Sequence, residues 1–540
     1  MPEFGPKDLA VVIPTRNRWP ILRRTLDALA DQTAAGFETI VVLDGTDQQP
    51  PDLGEVRVIA KEHGGPGAAR NAGTAATDRA LVLFLGDDMV PGPLLVERHL
   101  DRHNGHPEPE VAVLGHVDLH PSVSRNRLNR WMDWSGSQFD FHHITEPDAG
   151  FGRFYSCNVS LKRDFFTDAG GFDEDFVYYY EDLDCGWRLD RKGLRLLYER
   201  EAHVQHLHPL RWNDVVGRYR GIARGERLMA AKHAWFDPFF ARRIQRATRR
   251  RTPSGLWPRV VDRVPRRLRR IRQLAERRAD AWYYARLAPQ FIDAWEGARD
   301  LDELREYLGD RYDEARLADH MAEVQRELIS IGDEGVFYRS SEAYLYDLTV
   351  FAMSGTKVPY RTDLERLVGP RARLLDWGCG IGSDGLRFAE RSHAVSFADF
   401  DNPSTRFLRW RVQRRGMTSP VFDIDRDDIP GGFDAAYAFD VIEHVDDPFA
   451  FLRELEGRAR IVMVNLLEDE PDPLHPHRSL PIAAILDHAA RRGLLLYHRY
   501  HGRSHLVAYI GSGRPAGIRH VLEEVHHHEA RSALEFPQES

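Results

Sequence analysis

Short apolar runs alternate with amphipathic stretches over residues 8–210. DLAVVIP, FETIVVLDG and RALVLFLGDD are typical of buried strands, whereas WPILRRTLDALADQ has the spacing of a helix with one apolar face. This alternation predicts a mostly parallel sheet covered by helices. A second alternation begins near residue 340 with RARLLDWGCG, HAVSFADFD, GFDAAYAFD and RARIVMVNL, and it ends with LLLYHRY and HLVAYI, two strands close enough in sequence to pair.

Between these two regions the strand signals vanish, and the chain from residue 211 to about residue 340 is helical and rich in arginine. The fold class is therefore α/β, with two α/β domains joined by a helical, Arg-rich segment. We predict four parts: a first domain over 1–215, a basic helical linker over 216–340, a second domain over 341–515 and a polar tail over 516–540.

Composition narrows the protein class without naming a partner. The 540 residues carry a net charge of −9, and the three cysteines are too widely separated for a disulfide framework or a zinc site. No signal peptide and no apolar run long enough to span a membrane is evident. We therefore expect a cytoplasmic protein.

Polar residues gather where the strands of the first domain end, and such strand ends form the ligand crevice of an α/β fold. These residues are Thr15, Arg16, Asp44, Asp87 and Asp88. A glycine-rich segment, GGPGAARNAG, lies between Asp44 and Asp87 in the sequence and carries Arg70. This arrangement is suited to the close approach of a phosphate. The pattern favours a phosphate-bearing ligand at one edge of the sheet.

Five motifs in order resemble the inverting family 2 glycosyltransferases: VVIPTRNR, VVLDGTD, GAARNAG, FLGDDMVP and the long segment from NVSLKRDFF to HVQH. The resemblance covers roughly residues 8–210. It implies a Rossmann-like domain of the nucleotide-sugar-binding GT-A type that takes a nucleoside diphosphate sugar. It also implies a glycan or a lipid-linked saccharide as acceptor.

The resemblance also implies roles for individual residues. Thr15, Arg16 and Asp44 would line the nucleoside pocket, and Arg70 would approach the diphosphate. Asp87 would support the ribose or the metal.

Asp88 would hold a divalent cation, Mg²⁺ or Mn²⁺, that offsets the charge of the departing diphosphate. His206 occupies the family's late metal-ligand position. Where the family usually has its first aspartate this chain has Gly86. That departure would either weaken metal binding or leave a place for water.

In YYYEDLDCGWRL, Asp182 fits the general base that deprotonates the acceptor hydroxyl, with Glu181 beside it. Adjacent acids in a cleft can raise one pKa toward working pH. The alternative is a solvated helix start, where acids favour the helix dipole. The surrounding motifs favour the catalytic role.

The segment 242–278 contains fifteen arginines and only two acids. It could lie on an anionic membrane surface, bind the phosphates of nucleic acid or serve as a solvated connector. Membrane contact and the connector are favoured over nucleic acid. Membrane contact would place the protein at the inner face of the cell membrane.

LLDWGCGIGSDG is a strand followed by an acid and a glycine-rich loop. A dinucleotide pattern through Gly380, Gly382 and Gly385 is a weak alternative. Residues 374 to about 510 resemble the class I S-adenosylmethionine-dependent methyltransferases. The resemblance assigns cofactor contacts to Asp376, Gly378, Gly380, Gly382, Asp399 at the end of the next strand, and Asp425 near the adenine.

A methyl acceptor that is a hydroxyl also needs a base, because the cofactor supplies only the activated methyl group. The candidates on the acceptor side are His444, His475 and His477, since a neutral imidazole suits proton removal. The alternatives are an ordinary polar loop for His475 and His477, and a packing or cofactor-lining role for His444.

We therefore predict a bifunctional enzyme. It would transfer a sugar with inversion and methylate a hydroxyl, in synthesis of a surface polysaccharide or glycolipid. Two other hypotheses remain open: a nucleic-acid or small-molecule methyltransferase with a degenerate, non-catalytic sugar-nucleotide half, and a non-catalytic membrane scaffold.

Overall fold

The computed structural model describes residues 3–46, 48–54, 56–248, 254–265, 267–468 and 478–512. The chain divides into two compact units, residues 1–291 and residues 292–540. The division falls inside the predicted linker 216–340, so most of that helical segment belongs to the first unit. The predicted tail 516–540 lies outside the described residues.

The described strands of the first unit form one eight-stranded sheet in the order β3-β2-β1-β4-β7-β6-β8-β5. They are β1 Leu9–Thr15, β2 Glu38–Asp44, β3 Arg57–Lys61, β4 Leu81–Leu85, β5 Met89–Pro91, β6 Val111–Leu119, β7 Asn158–Lys162 and β8 Arg195–His206. Strands β1 to β4 run parallel, as predicted. Strand β7 runs antiparallel to both of its neighbours, so the sheet is mixed.

Helices cover this sheet and continue beyond it. They are α1 Trp19–Ala30, α2 Gly65–Ala75, α3 Leu95–Gly105, α4 Arg127–Trp134, α5 Arg163–Asp168, α6 Glu181–Asp190, α7 Trp212–Lys232, α8 Phe239–Thr248, α9 Trp257–Arg263 and α10 Arg269–Leu308, the last of which extends into the second unit. Strands β1, β2 and β4 are buried almost throughout, as expected for strands covered on both faces.

The direction in which successive strands are added to the sheet reverses after β1, and this reversal marks the place where a ligand would bind. Strand β2 lies on one side of β1 and β4 lies on the other, so β1 and β4 flank a topological switch point. Ligands of α/β folds bind in the crevice outside the carboxyl ends of the strands at such a point. Thr15 ends β1, and Asp87 and Asp88 follow β4.

The helical segment after β8 packs against the first unit through one tryptophan. Trp131 of α4 is buried and stacks on Tyr283 of α10 with 4.2 Å between ring centroids, and on Tyr219 of α7 at 6.0 Å. Its indole Nε1 donates to Asp280 at 3.0 Å. Helix α7 and the part of α10 up to Phe291 therefore belong to the first unit.

The second unit begins with helices and continues as an α/β sheet. Its elements are α11 Glu314–Ala318, α12 His320–Ile331, α13 Glu334–Ser340, α14 Ala343–Ser354, α15 Val358–Val368, β9 Arg373–Trp377, α16 Ser383–Glu390, β10 Ala394–Asp399, α17 Pro403–Arg414, β11 Val421–Asp423, β12 Phe433–Ala438, α18 Pro448–Arg458, β13 Ala459–Leu467, α19 Ile482–Arg492, β14 Leu494–Tyr500 and β15 Ser504–Ile510.

The second sheet has the order β11-β10-β9-β12-β13-β15-β14. Strands β14 and β15 pair in the antiparallel sense, which confirms the predicted pairing of the last two strands. The switch point lies between β9 and β12. The α/β fold class with two sheets is confirmed. Within the described residues, no helix has the length and apolar character needed to cross a bilayer.

Candidate functional site

The rim of the first sheet joins the end of β1 to the loop after β4. Thr15 Oγ1 donates a hydrogen bond of 2.7 Å to Asp87, and both side chains are buried. Arg18, just before α1, donates to Asp87 through Nε at 3.1 Å and to Asp88 through Nη1 at 3.0 Å. One guanidinium thus pairs with two adjacent carboxylates.

Asp88 also faces two histidines: His206, the last residue of β8, and His208, two residues further on. Its Oδ2 lies 3.4 Å from His206 Nε2 and 3.2 Å from His208 Nδ1. One ligand atom from each of the three residues lies within 4.8 Å of the others. Strand β5 brings them together, because Met89 pairs with His206 in the antiparallel register. A carboxylate and two imidazoles in this arrangement fit a divalent cation.

The surroundings shift the pKa values of Asp87 and Asp88 in opposite directions. Burial favours the neutral form of Asp88, but His206 and Arg18 outweigh it and hold the pKa of Asp88 well below its usual range. For Asp87, burial raises the pKa despite the opposing charge of Arg18, and the neighbouring Asp88 carboxylate adds to the rise. Asp88 is therefore the carboxylate that stays ionised over the physiological range.

Asp44 anchors the start of α2. Its carboxylate accepts from the backbone amides of Gly64 and Gly65 at 2.8 and 3.0 Å and from His63 Nδ1 at 2.8 Å. Burial opposes its charge, but the Gly64 amide and His63 more than compensate and lower the pKa of Asp44. Arg16 lies nearby, with Nη1 3.0 Å from His63 Nε2.

Arg70 is a buried cation with unused donors. The residue is 6% exposed, and its Nε and Nη1 have no hydrogen-bond partner among the described residues. Its nearest ion-pair partner is Glu181, at 4.0 Å from Nη1. Because buried donors without hydrogen bonds are costly, this guanidinium is suited to an anionic ligand that would complete its contacts.

Glu181 and Asp182 begin α6 at the same edge. Asp182 Oδ2 accepts from the Ser156 amide at 3.0 Å, while its Oδ1 has no partner in the described structure. Burial and the neighbouring Asp182 raise the pKa of Glu181 to about 7, and burial also raises the pKa of Asp182. Glu181 is buried and Asp182 is half-buried, which differs from the solvated helix start considered as the alternative.

A short backbone segment, Ser156 and Cys157, lies between the acids Glu181 and Asp182 and the loop that carries Asp88. The Gly86 amide donates to the Cys157 carbonyl at 3.1 Å, and Ser156 next to it donates to Asp182. Burial raises the pKa of the Cys157 thiol, with the negative charges of Asp182 and Asp88 adding to the effect. The two groups of acids therefore flank the same segment.

Helix α6 starts from strained backbone that α7 supports. Tyr179 and Tyr180 have φ angles of 64° and 75°, which non-glycine residues rarely adopt. A Cβ on Gly221 would lie 2.5 Å from the Tyr179 ring, and one on Gly225 would lie 2.8 Å from the Tyr179 carbonyl. Glu226 accepts from the Tyr180 hydroxyl at 2.6 Å. Only glycines in α7 allow this close approach.

In the second unit, a glycine-rich loop follows β9 at the switch point. Gly378, Gly380 and Gly382 all have positive φ, at 69°, 51° and 72°. A Cβ on Gly378 would lie 2.5 Å from Val441, and one on Gly382 would lie 2.3 Å from Leu408. The loop therefore depends on glycine for both its conformation and its packing.

Two acids flank this loop. Asp399, at the end of β10, accepts from the Gly380 and Phe400 amides at 2.7 Å each, and burial raises its pKa to about 6. Asp376 accepts from the Gly385 amide at 3.2 Å, and burial together with Asp384 raises its pKa to about 8. Asp399 thus contacts the loop, whereas the carboxylate of Asp376, a residue of β9, contacts the first turn of α16.

The remaining predicted residues are more scattered. Asp425 is half exposed and pairs with Arg339 at 3.1 Å. His444 Nδ1 lies 3.0 Å from the Tyr338 hydroxyl. Next to His444, both carboxylate oxygens of Glu443 are buried without a partner among the described residues, and burial raises its pKa to about 8. His475 and His477 lie outside the described residues.

Three residues of the first site were missed by the sequence interpretation: Arg18, His63 and His208. Arg18 stands within the TRNR motif, and His208 follows His206 at the two-residue spacing of one strand face. These were the available signals.

Comparisons with known proteins identify two regions of the chain. The family model for glycosyl transferase family 2 matches residues 10–167, and that for a methyltransferase domain matches residues 375–460. A validoxylamine A glucosyltransferase of Streptomyces hygroscopicus subsp. jinggangensis is 32% identical over 231 residues, which is 36% of this chain and 54% of the relative. A pre-mycofactocin glycosyltransferase of Mycobacterium tuberculosis is 31% identical over 245 residues, 43% of this chain and 50% of the relative.

This chain thus spans about half the length of these relatives. Among solved structures, a mannosyltransferase of Pyrobaculum calidifontis in complex with GDP-mannose and Mn²⁺ is 15% identical with a TM-score of 0.31, covering 55% of this chain and 76% of that one. A Burkholderia thailandensis 1,6-didemethyltoxoflavin-N1-methyltransferase is 17% identical with a TM-score of 0.28, covering 36% and 90%. From the family models we conclude that the chain joins a region that matches glycosyl transferase family 2 to a region that matches a methyltransferase domain.

Proposed function

We propose that the first domain transfers a sugar, with inversion, from a nucleoside diphosphate sugar to a hydroxyl of a glycan or lipid-linked saccharide. The observation that carries this proposal is the convergence of three groups at one sheet edge. Asp88 and its two histidines would hold a divalent cation, Arg70 offers unpaired donors to an anion, and Asp182 supplies a carboxylate.

When bound, the cation would offset the negative charge of the departing diphosphate. Asp88, His206 and His208 would hold it, and we propose Mn²⁺ rather than Mg²⁺ because Mg²⁺ prefers oxygen ligands alone. Arg70 would bind the diphosphate through its free Nε and Nη1. Thr15 would keep Asp87 in place through their hydrogen bond.

Asp182 would take the proton of the acceptor hydroxyl. Its Oδ2 is fixed by the Ser156 amide, and its Oδ1 remains available as an acceptor. Glu181, with its pKa raised to about 7, is partly protonated near neutral pH. It would therefore leave the base role to Asp182 and limit repulsion between the two carboxyls.

A thermal-shift panel of nucleotide sugars, with and without Mn²⁺, would find the donor, and its turnover would then be measured. We expect Asp88→Ala and Asp182→Asn each to reduce transfer at least 100-fold. Asp190→Asn, at the exposed end of α6, is the matched control and should retain activity. Unchanged turnover in Asp88→Ala and Asp182→Asn would refute the assignment.

We propose that the second domain binds S-adenosylmethionine and methylates a hydroxyl. The cofactor brings an activated methyl group. The glycine loop would approach its amino-acid part, and the half-buried Asp399 would accept from the ribose hydroxyls. Calorimetric titration with S-adenosylhomocysteine would test this. Asp399→Asn should weaken binding at least tenfold, whereas Asp401→Asn, two residues further on and ion-paired with Arg409, should not.

Both activities on one chain suggest one product, a methylated surface polysaccharide or glycolipid. Incubation with tritiated S-adenosylmethionine and the glycosylated product would test the coupling. Label on the glycan supports it. Label on nucleic acid would favour the alternative methyltransferase instead.

We further propose that the basic segment 242–278 contacts an anionic membrane from the cytoplasmic side. Leu268, Ile271 and Leu274 are 45%, 54% and 51% exposed and recur every three residues at the start of α10 among arginines. An apolar stripe flanked by arginines suits lipid headgroups and shallow insertion. Flotation with phosphatidylglycerol vesicles should retain the protein. Replacing the three side chains by serine should abolish retention, whereas vesicles of phosphatidylcholine alone should retain neither protein.

A further inference from the structure

A cleft of about 550 Å³ lies beside the metal-binding histidines in the first unit. Its walls come from the end of β6, from the loop after α4 and from β8. The lining includes His116, Asp118, Phe139, Phe141, Arg200 and His206. None of the roles assigned above uses this cleft apart from His206.

The lining combines flat aromatic faces with an open polar rim. Phe139 and Phe141 lie 5.7 Å apart between ring centroids, and His116 meets Phe141 edge-on at 5.2 Å. The Asp118 side chain is 63% exposed at the rim, and Arg200 is exposed as well. Arg200 is the one Arg or Lys among the described lining residues.

This chemistry favours one class of ligand. Aromatic faces pack against the C–H face of a six-membered ring, while carboxylates, imidazoles and a guanidinium pair with hydroxyl groups. An alkyl chain would use only the aromatic part of this lining. A phosphate would find a single guanidinium here, rather than the clustered cations that phosphate sites use.

The cleft also lies in the right place for an acceptor. Phe139 meets the imidazole of His206 at 6.1 Å, which connects the cleft to the cluster around Asp88. On the other side, Phe139 packs edge-on against Tyr155 at 5.1 Å. The residue after Tyr155 is Ser156, whose amide holds Asp182.

We propose that this cleft binds the terminal ring of the acceptor, a neutral polyhydroxylated six-membered ring of the sugar or cyclitol class. The proposal rests on the proposed glycosyltransferase function, and it assigns the acceptor ring to the half-buried Phe139, against which the buried Phe141 packs. Hydroxyls of the ring would meet Asp118 and Arg200 at the rim. The ring edge nearest His206 would carry the hydroxyl that is glycosylated.

Direct binding can be tested without a donor. Saturation-transfer NMR with methyl β-D-glucopyranoside, cellobiose and myo-inositol as probes should show binding to the full chain, with glucose 6-phosphate weaker than cellobiose. Phe139→Leu keeps apolar volume but removes the ring, and it should weaken binding about tenfold. Phe139→Tyr should restore it. The full-length protein is used throughout.

With the donor identified, the same variants separate acceptor binding from a structural role. Phe139→Leu and Arg200→Ala should raise the acceptor KM about tenfold with a smaller change in kcat. Arg195→Ala, at the other end of the same strand, is the matched control and should leave both constants unchanged. An acceptor KM unaffected by Phe139→Leu, or tighter binding of glucose 6-phosphate than of cellobiose, would overturn the proposal.

Failure of the proposed glycosyltransferase function and failure of the cleft assignment give different experimental results. If no donor is turned over but Phe139→Leu still abolishes probe binding, the cleft assignment stands while the transferase assignment falls. If the donor is turned over but none of the three neutral probes binds, the cleft assignment falls alone.

Discussion

Arg18 is the cation that balances the acid pair in the ligand-free protein, and its removal makes a decisive test of the metal site. The guanidinium contacts both Asp87 and Asp88, whose side chains are 2% and 9% exposed. In Arg18→Ala these two carboxyls lose their shared partner. We expect the variant to be less stable without metal and to respond more strongly to Mn²⁺, because a bound divalent cation would take over the role of Arg18.

The size of the effect follows from burial. Removing one member of a fully buried ion pair costs about 3–5 kcal/mol, whereas exposed pairs contribute about 0–1 kcal/mol. The Arg18 side chain is 35% exposed, so we place the loss near 2 kcal/mol. That corresponds to a fall in Tm of about 4–8 °C for a unit of this size. If the metal restores all of it, the Mn²⁺ affinity rises by up to about 30-fold.

The assay is thermal unfolding of the full chain over a Mn²⁺ titration, following the transition of the first unit. Arg24→Ala makes the same charge change at an exposed position of α1, the helix that begins directly after Arg18, and serves as the control. Arg18→Ala should melt lower without Mn²⁺ and should gain more from it than wild type or Arg24→Ala. A gain equal to or below that of wild type would refute the argument that Arg18 stands in for the cation.

Two further predictions concern α6 and its support. The pKa of Glu181 is raised to about 7 from 4.5, so its stabilising contribution is complete below pH 4.5 and is lost as the pH rises through 7. Glu181→Gln should therefore be more stable than wild type by about 2–4 kcal/mol at pH 8 and equal at pH 4 in urea unfolding; a difference that does not change with pH contradicts this. Gly225→Ala should cost about 1–3 kcal/mol and lower transfer, because its Cβ would meet the Tyr179 carbonyl. Gly217→Ala, in open space on the same helix, should be neutral or stabilising, and equal losses in both variants would exclude the proposed close approach.

The strands and their ligand-bearing ends were predictable from local pattern. Buried parallel strands give continuous apolar runs, and the polar residues at their ends can be located without knowing the strand order. The glycine loop before α16 and Asp399 at the end of β10 were found in the same way. Local pattern was sufficient because each of these residues lies within or next to its own strand.

The partnership of Asp88 with His208 and Arg18 was not predictable from local pattern. It depends on β5 pairing with β8 in one particular register across more than a hundred residues. It also depends on Arg18, a loop residue of the first motif, folding back onto Asp87 and Asp88 of the fourth motif. The same limit applies to the helical segment. The arginines of 242–278 suggested membrane contact or a solvated connector, whereas the stacking of Trp131 on Tyr219 and Tyr283 shows that α7 and the first part of α10 belong to the first unit.

The left-handed backbone of Tyr179 and Tyr180 has a practical consequence for anyone who dissects this enzyme. A fragment ending at residue 215 would retain all five motifs of the first domain, yet it would lack Gly221, Gly225 and Glu226, which hold that backbone in place. Expression trials, domain swaps with related enzymes and gene truncations should place the cut beyond Tyr284 rather than where the sequence similarity stops.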